Sequence, residues 1–420
     1  MKTVLSIQGD RFCINGALTY SEIPTARPGV HGLLMNARFI QGIFDDRQAP
    51  ERFARFGADH WNPDHNTDDL IKALPEWYRY GLRAFTVGFQ GGGPCFTIRN
   101  EEINTNPYAP DGSAISPKAL ARMAKIIEVA DQLGMIVVVS CFYSGQIRHL
   151  ENDAAVKQAV TITARWLRSQ KYTNVILEIA NECDAPDYEP YPSIYTPEGM
   201  CKLIALAQQE AGGIPVGCSM LGMSYNDSIA EASDVNIIHG NNQTRQRLYN
   251  KIMHAKELGK PVLCNEDSQC VSQLGVTFAT GVSWGYYNNL TKQEPPTRWG
   301  ILPGEDRFFA HRMAMGLGIP LEPLPKADQF YLQGLEPHMT YNGKRWIRLA
   351  SLYPETIDHV EFYCNEKRIY IAYDDPFLLY YEKNWQQAGV ETQPGDCWKA
   401  VVHLVCGEQR ILEARVPELR

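Results

Sequence analysis

Two glutamates stand where apolar runs end. Glu182 closes the run Val175-Ile176-Leu177-Glu178-Ile179-Ala180-Asn181-Glu182, and Glu266 closes Pro261-Val262-Leu263-Cys264-Asn265-Glu266. Both runs read as buried strands, and a carboxylate is costly to bury unpaired. Two carboxylates facing each other across a cleft suit acid–base work at a glycosidic bond. One protonates the leaving oxygen while the other attacks the anomeric carbon or activates water. Asn181, beside Glu182, adds an amide able to hydrogen-bond a sugar hydroxyl. Taken singly, either glutamate could equally cap a helix or pair with an arginine. The fold must decide whether they meet.

From residue 31 the chain alternates strand and helix patterns, which argues for a parallel sheet. The spacing predicts strands at Leu33–Phe39, Arg83–Phe89, Met135–Phe142, the Val175 run, Pro215–Met220, Val235–His239, Pro261–Asn265 and Gly281–Tyr287. Helices follow at about Asp68–Tyr80, Pro117–Leu133, Ala154–Ser169, Pro197–Ala211, Asp227–Ala232, Thr244–Leu258, Val271–Thr280 and Asp306–Leu317. Asn66 or Thr67 reads as the cap of the first helix. Eight such units over residues 31–320 have the count and size of a (β/α)8 TIM barrel, an α/β fold. A doubly wound open sheet would bring a glycine-rich phosphate turn after strand one. Gly91-Gly92-Gly93-Pro94 follows strand two and lacks that spacing. In a barrel the strand C-termini converge on one face. Glu182 on strand four and Glu266 on strand seven would then look into one pocket from nearly opposite sides.

The flanks read differently. Residues 5–20 alternate around Asn15-Gly16, a hairpin signal, so residues 1–30 are expected to form an N-terminal β-hairpin that plugs or flanks the barrel. After the linker-like Leu321-Glu322-Pro323-Leu324-Pro325, short β-rich runs follow without helices: His359–Cys364, Arg368–Tyr373, Leu378–Lys383, Trp398–Cys406 and Gln409–Arg415. Residues 329–420 therefore read as a C-terminal all-β sandwich, Ig-like.

Composition excludes several classes. The 420 residues are 44% hydrophobic and carry a net charge of −8, against the basic patch that a nucleic-acid partner requires. No run approaches the ~18 apolar residues of a membrane span. The N-terminus turns polar before a signal core can form, so the expected location is cytoplasmic, unless an export signal has been removed. The eleven cysteines are scattered without a C-x-x-C pair and read as reduced thiols. No His/Cys cluster has zinc spacing. Asp64-His65-Asn66-Thr67-Asp68 lacks the Gly and Glu of a calcium loop and reads as a helix cap. No G-x-S-x-G elbow is present. The expectation is a carbohydrate partner with no metal and no cofactor; the oligomeric state stays open.

The register of Asn181-Glu182, Glu266 and Trp284 in strand eight resembles that of the clan A glycoside hydrolases, and Glu178-Ile179-Ala180-Asn181-Glu182 is similar to their strand-four signature. The resemblance implies a retaining mechanism, with Glu182 as acid/base and Glu266 as nucleophile. His31-Gly32-Leu33-Leu34-Met35-Asn36-Ala37-Arg38 also looks like uncharacterised bacterial barrel proteins of this group. Many clan members carry Arg late in strand two and His ending strand three, where this chain has Thr86 and Cys141-Phe142-Tyr143. The sugar pocket is therefore expected to be rebuilt from Arg38, Gln90 and Tyr143. His239 would hydrogen-bond Glu266 or the sugar, or be a satisfied core histidine. Trp284 would form a stacking floor, and Trp299 or Tyr188, Tyr191 and Tyr195 would wall subsites or pack their own loops. Glu178, deeper in strand four, would need Arg38 or Arg83 as its cation. Asp184 and Asp267 would raise a neighbouring pKa or cap helices. A barrel that binds carbohydrate without cleaving it, and a transglycosylase using the same residues, remain open.

Overall fold

The computed structural model describes residues 1–417 apart from 50–61, 95, 97, 268, 269, 296, 338 and 382–388. Its centre is a run of parallel strands, each buried on both faces, which is why they read as continuous apolar stretches. In chain order these are β4 (Asn36–Arg38), β5 (Ala84–Gly88), β6 (Ile136–Phe142), β7 (Val175–Ala180), β8 (Val216–Gly217), β9 (Asn236–His239), β10 (Val262–Glu266) and β11 (Gly285–Tyr286). Six of them form one parallel sheet in the order β11-β4-β5-β6-β7-β8, and β9 pairs with β10. The amides of Asp234 and Val235 donate to Val216 O, while Leu263 and Ser283 form a parallel bridge. Neighbours in space therefore follow neighbours in sequence along these strands.

Helices α1 (Pro63–Arg79), α2 (Pro117–Leu133), α3 (Asp153–Ser169), α4 (Pro192–Tyr195), α5 (Pro197–Ala211), α6 (Asp227–Ala232), α7 (Arg245–Lys256), α8 (Val271–Thr280) and α9 (Glu305–Leu317) fill the connections. The expected helices fall within a few residues of these, with one instructive exception. α1 begins at Pro63, not near Asp68, because the Asn62 side chain caps it by accepting from the amides of Asp64 and His65. Asn-Pro at the first turn is the signal for this. Asn66 and Thr67 are not caps. They lie inside the helix and donate to the carbonyls of Gln41 and Gly42, tying α1 to the loop after β4. No helix among the described residues is long and apolar enough to cross a membrane.

Alternate residues of the strands face two cores. Val137, Val139, Leu177 and Ile179 pack with the helices. Leu34, Ala84, Ile136, Val138, Ile176, Val235, Ile237 and Leu263 form a separate inner cluster, which Leu5 and Phe12 complete from the N-terminal segment. That segment is a three-stranded antiparallel sheet, β1 (Leu5–Gln8), β2 (Arg11–Ile14) and β3 (Ala17–Leu18), one strand more than the expected hairpin. It is moored where Thr3 Oγ1 donates to Asp131 O and the Leu5 amide to Thr173 O. Phe12 is thus a plug at the floor of the strands. Phe12→Ala is expected to cost about 3–5 kcal/mol of stability, as for a buried Phe leaving a cavity. Denaturant melts should show that loss; a change under ~1 kcal/mol would mean that the sheet is not a plug.

The C-terminal residues form antiparallel sheets around their own core: β12 (Phe330–Gln333) with β14 (Arg348–Ser351), β13 (Lys344–Arg345) with β17 (Val390–Glu391), and a four-stranded sheet in the order β16-β15-β18-β19. The last comprises β15 (Ile357–Cys364), β16 (Lys367–Ala372), β18 (Cys397–Leu404) and β19 (Gln409–Arg415). Leu332, Ile347 and Leu349 from the small sheets share one cluster with Val360, Phe362, Trp398 and Val402. The expected strand Leu378–Lys383 makes only a bridge from Leu378 to Arg348, and its last two residues lie outside the described ones. This module is joined to the helices around the parallel strands by buried charge. Arg348 Nη2 lies 3.1 Å from Glu305 Oε2 at the start of α9. Asp375 Oδ2 accepts from both Ser272 N and Ser272 Oγ in the first turn of α8. Trp346 also packs on Phe96 from the loop after β5, at a ring separation of 4.7 Å.

Candidate active site

Ile176 faces the inner cluster, so Glu178 follows on the same side at the two-residue period of a strand. Glu178 is buried, and its Oε1 accepts from Asn265 Nδ2 at 3.0 Å across the lumen. Glu182 lies just past β7 with φ +53°, a left-handed conformation uncommon outside glycine. The surroundings hold it there. Its amide donates to Ser219 Oγ at 3.1 Å, its carbonyl accepts from Ala185, and the next amide, Cys183, donates to Ser219 O. Strained backbone of this kind gathers at functional sites.

Glu266 ends β10 at a register shift between Cys264 and Glu266. Asn265 already faces the lumen, so a regular strand would turn Glu266 outward. The bulge re-aims it, as bulges beside active sites do. Its Oε1 accepts from Asn241 Nδ2 at 2.9 Å, and its Oε2 lies 3.0 Å from Arg38 Nε. Arg38, at the end of β4, is only 1% exposed, with its guanidinium 5.4 Å from the Tyr287 ring centroid. His239, ending β9, stands between the two carboxylates: its Nδ1 is 3.1 Å from Glu182 Oε1 and 3.7 Å from Glu266 Oε2. One oxygen of Glu182, one of Glu266 and the His239 nitrogen all lie within 4.8 Å of one another.

The charges are settled by these partners. Burial opposes a charged His239, but Glu266 and Glu182 outweigh it and raise the imidazole above its ordinary pKa. Burial pushes Glu182 up, yet the hydrogen bond and charge of His239, with Arg38 and Asn241, hold its carboxyl below the usual range. Glu266 goes the other way. Burial, aided by Glu182 and Glu178, raises it against the pull of Arg38 and His239. The three groups lie close enough to titrate as a unit, with His239 Nδ1 and Glu182 Oε1 joined by a hydrogen bond. Two carboxylates and an imidazole could ligate a metal. Here the fully buried Arg38 places a positive charge beside Glu266.

The structure brings Arg38, Glu182, His239 and Glu266 together, the half-buried Tyr143 is close enough to act on the Arg38 charge, and Asn181 lies buried next to Glu182 in the chain. Arg38 contacts Glu266 itself, a closer role than the sugar contact expected of it. Gln90 is buried and committed elsewhere, donating to Asn106 Oδ1 and accepting from the Tyr143 amide. Two expectations are corrected. Trp284 has no exposed face for a sugar to stack on; it packs on Phe309 and donates from Nε1 to Asp267. Trp299 walls no subsite. It lies buried against Phe39, its Nε1 bonded to Asn66 Oδ1. Both are aromatic side chains whose apolar faces served the core. Tyr188 and Tyr191 also pack inside, donating to the carbonyls of Asn181 and Leu150. Asp184 holds the Leu221 amide. Arg83 pairs with Glu22 and not with Glu178.

Asn241 and Ser219 were not anticipated. Asn241 carried a readable signal: His239-Gly240-Asn241 puts it two residues past His239, on the same side. The glycine between them is required, since a Cβ there would lie 2.4 Å from Asp267 Oδ2.

No known family model matches the chain, and no curated protein matches it in sequence. Solved structures do. A protein from Bacteroides vulgatus described as a candidate glycoside hydrolase superposes with TM-score 0.50 at 12% identity, over 98% of this chain and 83% of that one. The β-glucuronidase of Parabacteroides merdae matches with TM-score 0.43 and 13% identity over 98% of this chain and 50% of its own. An endo-1,4-β-mannanase from Eisenia fetida matches with TM-score 0.45 and 12% identity, over 76% and 95%. These neighbours are clan A glycoside hydrolases built on TIM barrels. At such identities the likeness speaks for the fold alone. The chain spans about half the length of the β-glucuronidases it matches.

Proposed function

We propose that this chain is a retaining O-glycoside hydrolase of the clan A type, its eight parallel strands closed into a (β/α)8 barrel and its C-terminal sheets a β-sandwich. The observation that carries this is the short separation of the two carboxylates, within 4.8 Å between oxygens. Retaining enzymes hold theirs about 5–5.5 Å apart, whereas inverting ones leave about 6.5–9.5 Å for a water. An approach within 4.8 Å lies on the retaining side of that division.

In this reading Glu266 attacks the anomeric carbon. Arg38 keeps its charge in place through the ion pair to Oε2, and Asn241 fixes Oε1. Glu182, the more exposed of the pair at 19%, protonates the leaving oxygen with the proton it shares with His239. It then takes a proton from the incoming water. Asn181 Oδ1, Asn241 Oδ1 and His239 Nε2 are buried atoms without partners. Such atoms are costly unless something satisfies them, and sugar hydroxyls are suited to do so.

The direct test is trapping with mechanism-based fluoro-glycosides, using a panel of sugars, followed by peptide mass mapping. The expected adduct sits on Glu266. An adduct on Glu182, or turnover of the panel without any adduct, would overturn the assignment. The shared proton also makes a pH prediction. Rising pH strips the proton from the His239–Glu182 pair, and its last pKa exceeds that of either group alone. His239→Gln should therefore move the basic limb of the kcat/KM profile to lower pH. A profile merely scaled down, with both limbs unmoved, would give His239 a structural part only.

A further inference from the structure

The C-terminal module carries a second group of ligand-type side chains, which the glycosidase reading leaves unused. His359 and Glu361 alternate with the buried Val360 on β15 and so share the outer face of the four-stranded sheet. His403 on β18 stands directly opposite His359 in the antiparallel register. The two imidazoles stack with centroids 4.0 Å apart, and His403 Nε2 lies 3.6 Å from Glu361 Oε2. One ligand atom from each of the three falls within 4.8 Å of the others. The side chains are 22%, 16% and 24% exposed, sheltered but within reach of solvent.

The outer contacts are those of metal-ligating histidines. Asp358 Oδ2 lies 2.7 Å from His359 Nδ1, and the Gln409 amide lies 3.2 Å from His403 Nδ1. A carboxylate on one ring nitrogen fixes the tautomer and leaves the other nitrogen as a lone pair. The Gln409 amide does the same when its oxygen faces the ring, an orientation free to exchange. His403 Nε2 is buried and lacks a hydrogen-bond partner. The fourth neighbour is a cation: Arg368 Nη1 donates to Glu361 Oε1 at 2.9 Å, while Tyr363 donates to Oε2. Unlike Arg38 in the catalytic site, Arg368 is 55% exposed and can swing into water.

We propose that His359, His403 and Glu361 form a binding site for a borderline divalent transition metal of the Zn2+ class, pinning β15 to β18. Two imidazoles and one carboxylate match the ligand preference of zinc and disfavour calcium or magnesium, which take oxygen. Zn–N bonds of ~2.0–2.1 Å in tetrahedral geometry need ligand atoms about 3.3 Å apart. Closing the cluster requires the two stacked rings, now 13° from parallel, to rotate so that their lone pairs converge, a side-chain movement open to residues at a partly exposed surface. A fourth coordination position is left to water. His403 lies more than forty residues beyond His359-Val360-Glu361, so no spacing motif could announce the set. Strand alternation and one cross-strand pair assemble them.

The test uses the full chain, chelator-stripped and with thiols reduced, titrated with ZnCl2 by calorimetry and with CoCl2 by visible absorption. The expected result is one tight equivalent of Zn2+ per chain and a rise in Tm with metal, as for any ligand that binds only the folded state. Cobalt should give tetrahedral d–d bands without a thiolate charge-transfer band. His403→Ala and His359→Ala should each weaken binding by about 100-fold or more and remove the Tm rise. Glu361→Gln should weaken it as well, which covers the case of a histidine variant that folds poorly. Glu266→Gln, which disrupts the catalytic trio, should leave the metal isotherm unchanged. Absence of binding, a thiolate band, or loss of binding in Glu266→Gln with none in His403→Ala would each overturn the proposal.

Discussion

Glu266→Gln should reduce turnover by about 10^5-fold, or about 7 kcal/mol of transition-state stabilisation. The substitution keeps the volume, the Asn241 contact and the strand bulge, and removes only the nucleophilic charge. It should also lower stability. Arg38 Nε sits 3.0 Å from Glu266 Oε2 and is 1% exposed, so loss of the carboxylate strands a buried cation. Breaking one side of such a pair typically costs about 3–5 kcal/mol. The two effects can be separated. Arg38→Met combined with Glu266→Gln removes both charges and should recover much of the lost Tm, while activity stays absent. Arg38→Met alone should raise the Glu266 pKa further, because one of the charges pulling it down is gone. The acid limb of kcat/KM should then move to higher pH. Near-normal turnover by folded Glu266→Gln on a genuine substrate would end the nucleophile assignment.

The parts of this site that could be read in the chain are those where local pattern and chemistry coincide. Strands β6 and β7 are buried on both faces, so their apolar runs stood out, as did the charged residues that break them. Helices α2 and α5 begin with Pro in the first turn and end on left-handed glycines, and their limits were legible from those residues. The carboxylate pair followed from the register of eight units. What remained hidden depends on contacts between distant residues. Trp284 and Trp299 have the composition of a sugar platform and the environment of a core. The difference lies in Asp267 and Asn66, which take their indole N–H groups. Arg38 could be assigned to the pocket but not to Glu266, since a bulge at β10 sets that contact. His359 and His403 share a face only through antiparallel register.

Glu182→Ala should behave differently from the nucleophile variant, and the difference tests the division of labour between the two carboxylates. Without the acid, glycosides with poor leaving groups should lose about 10^2–10^4-fold in kcat/KM, the range for general acid catalysis. Dinitrophenyl glycosides need no protonation, so they should still load Glu266 at close to the normal rate. Breakdown of the glycosyl-enzyme then becomes limiting, because no base remains to activate water. Sodium azide needs no base. It should raise kcat on the activated substrates and give a glycosyl azide with the anomeric configuration of the substrate. Removing Glu182 also leaves His239 with Glu266 as its remaining carboxylate partner, at 3.7 Å. With one anion gone, the imidazole should lose part of its upward pKa shift, and the basic limb should no longer report the shared proton. Equal losses on all leaving groups, without azide rescue, would instead make Glu182 a binding or structural residue. The same azide experiment on Glu266→Ala should return an inverted azide, if anything. The stereochemistry of the azide product therefore tells which carboxylate stood on which face of the sugar.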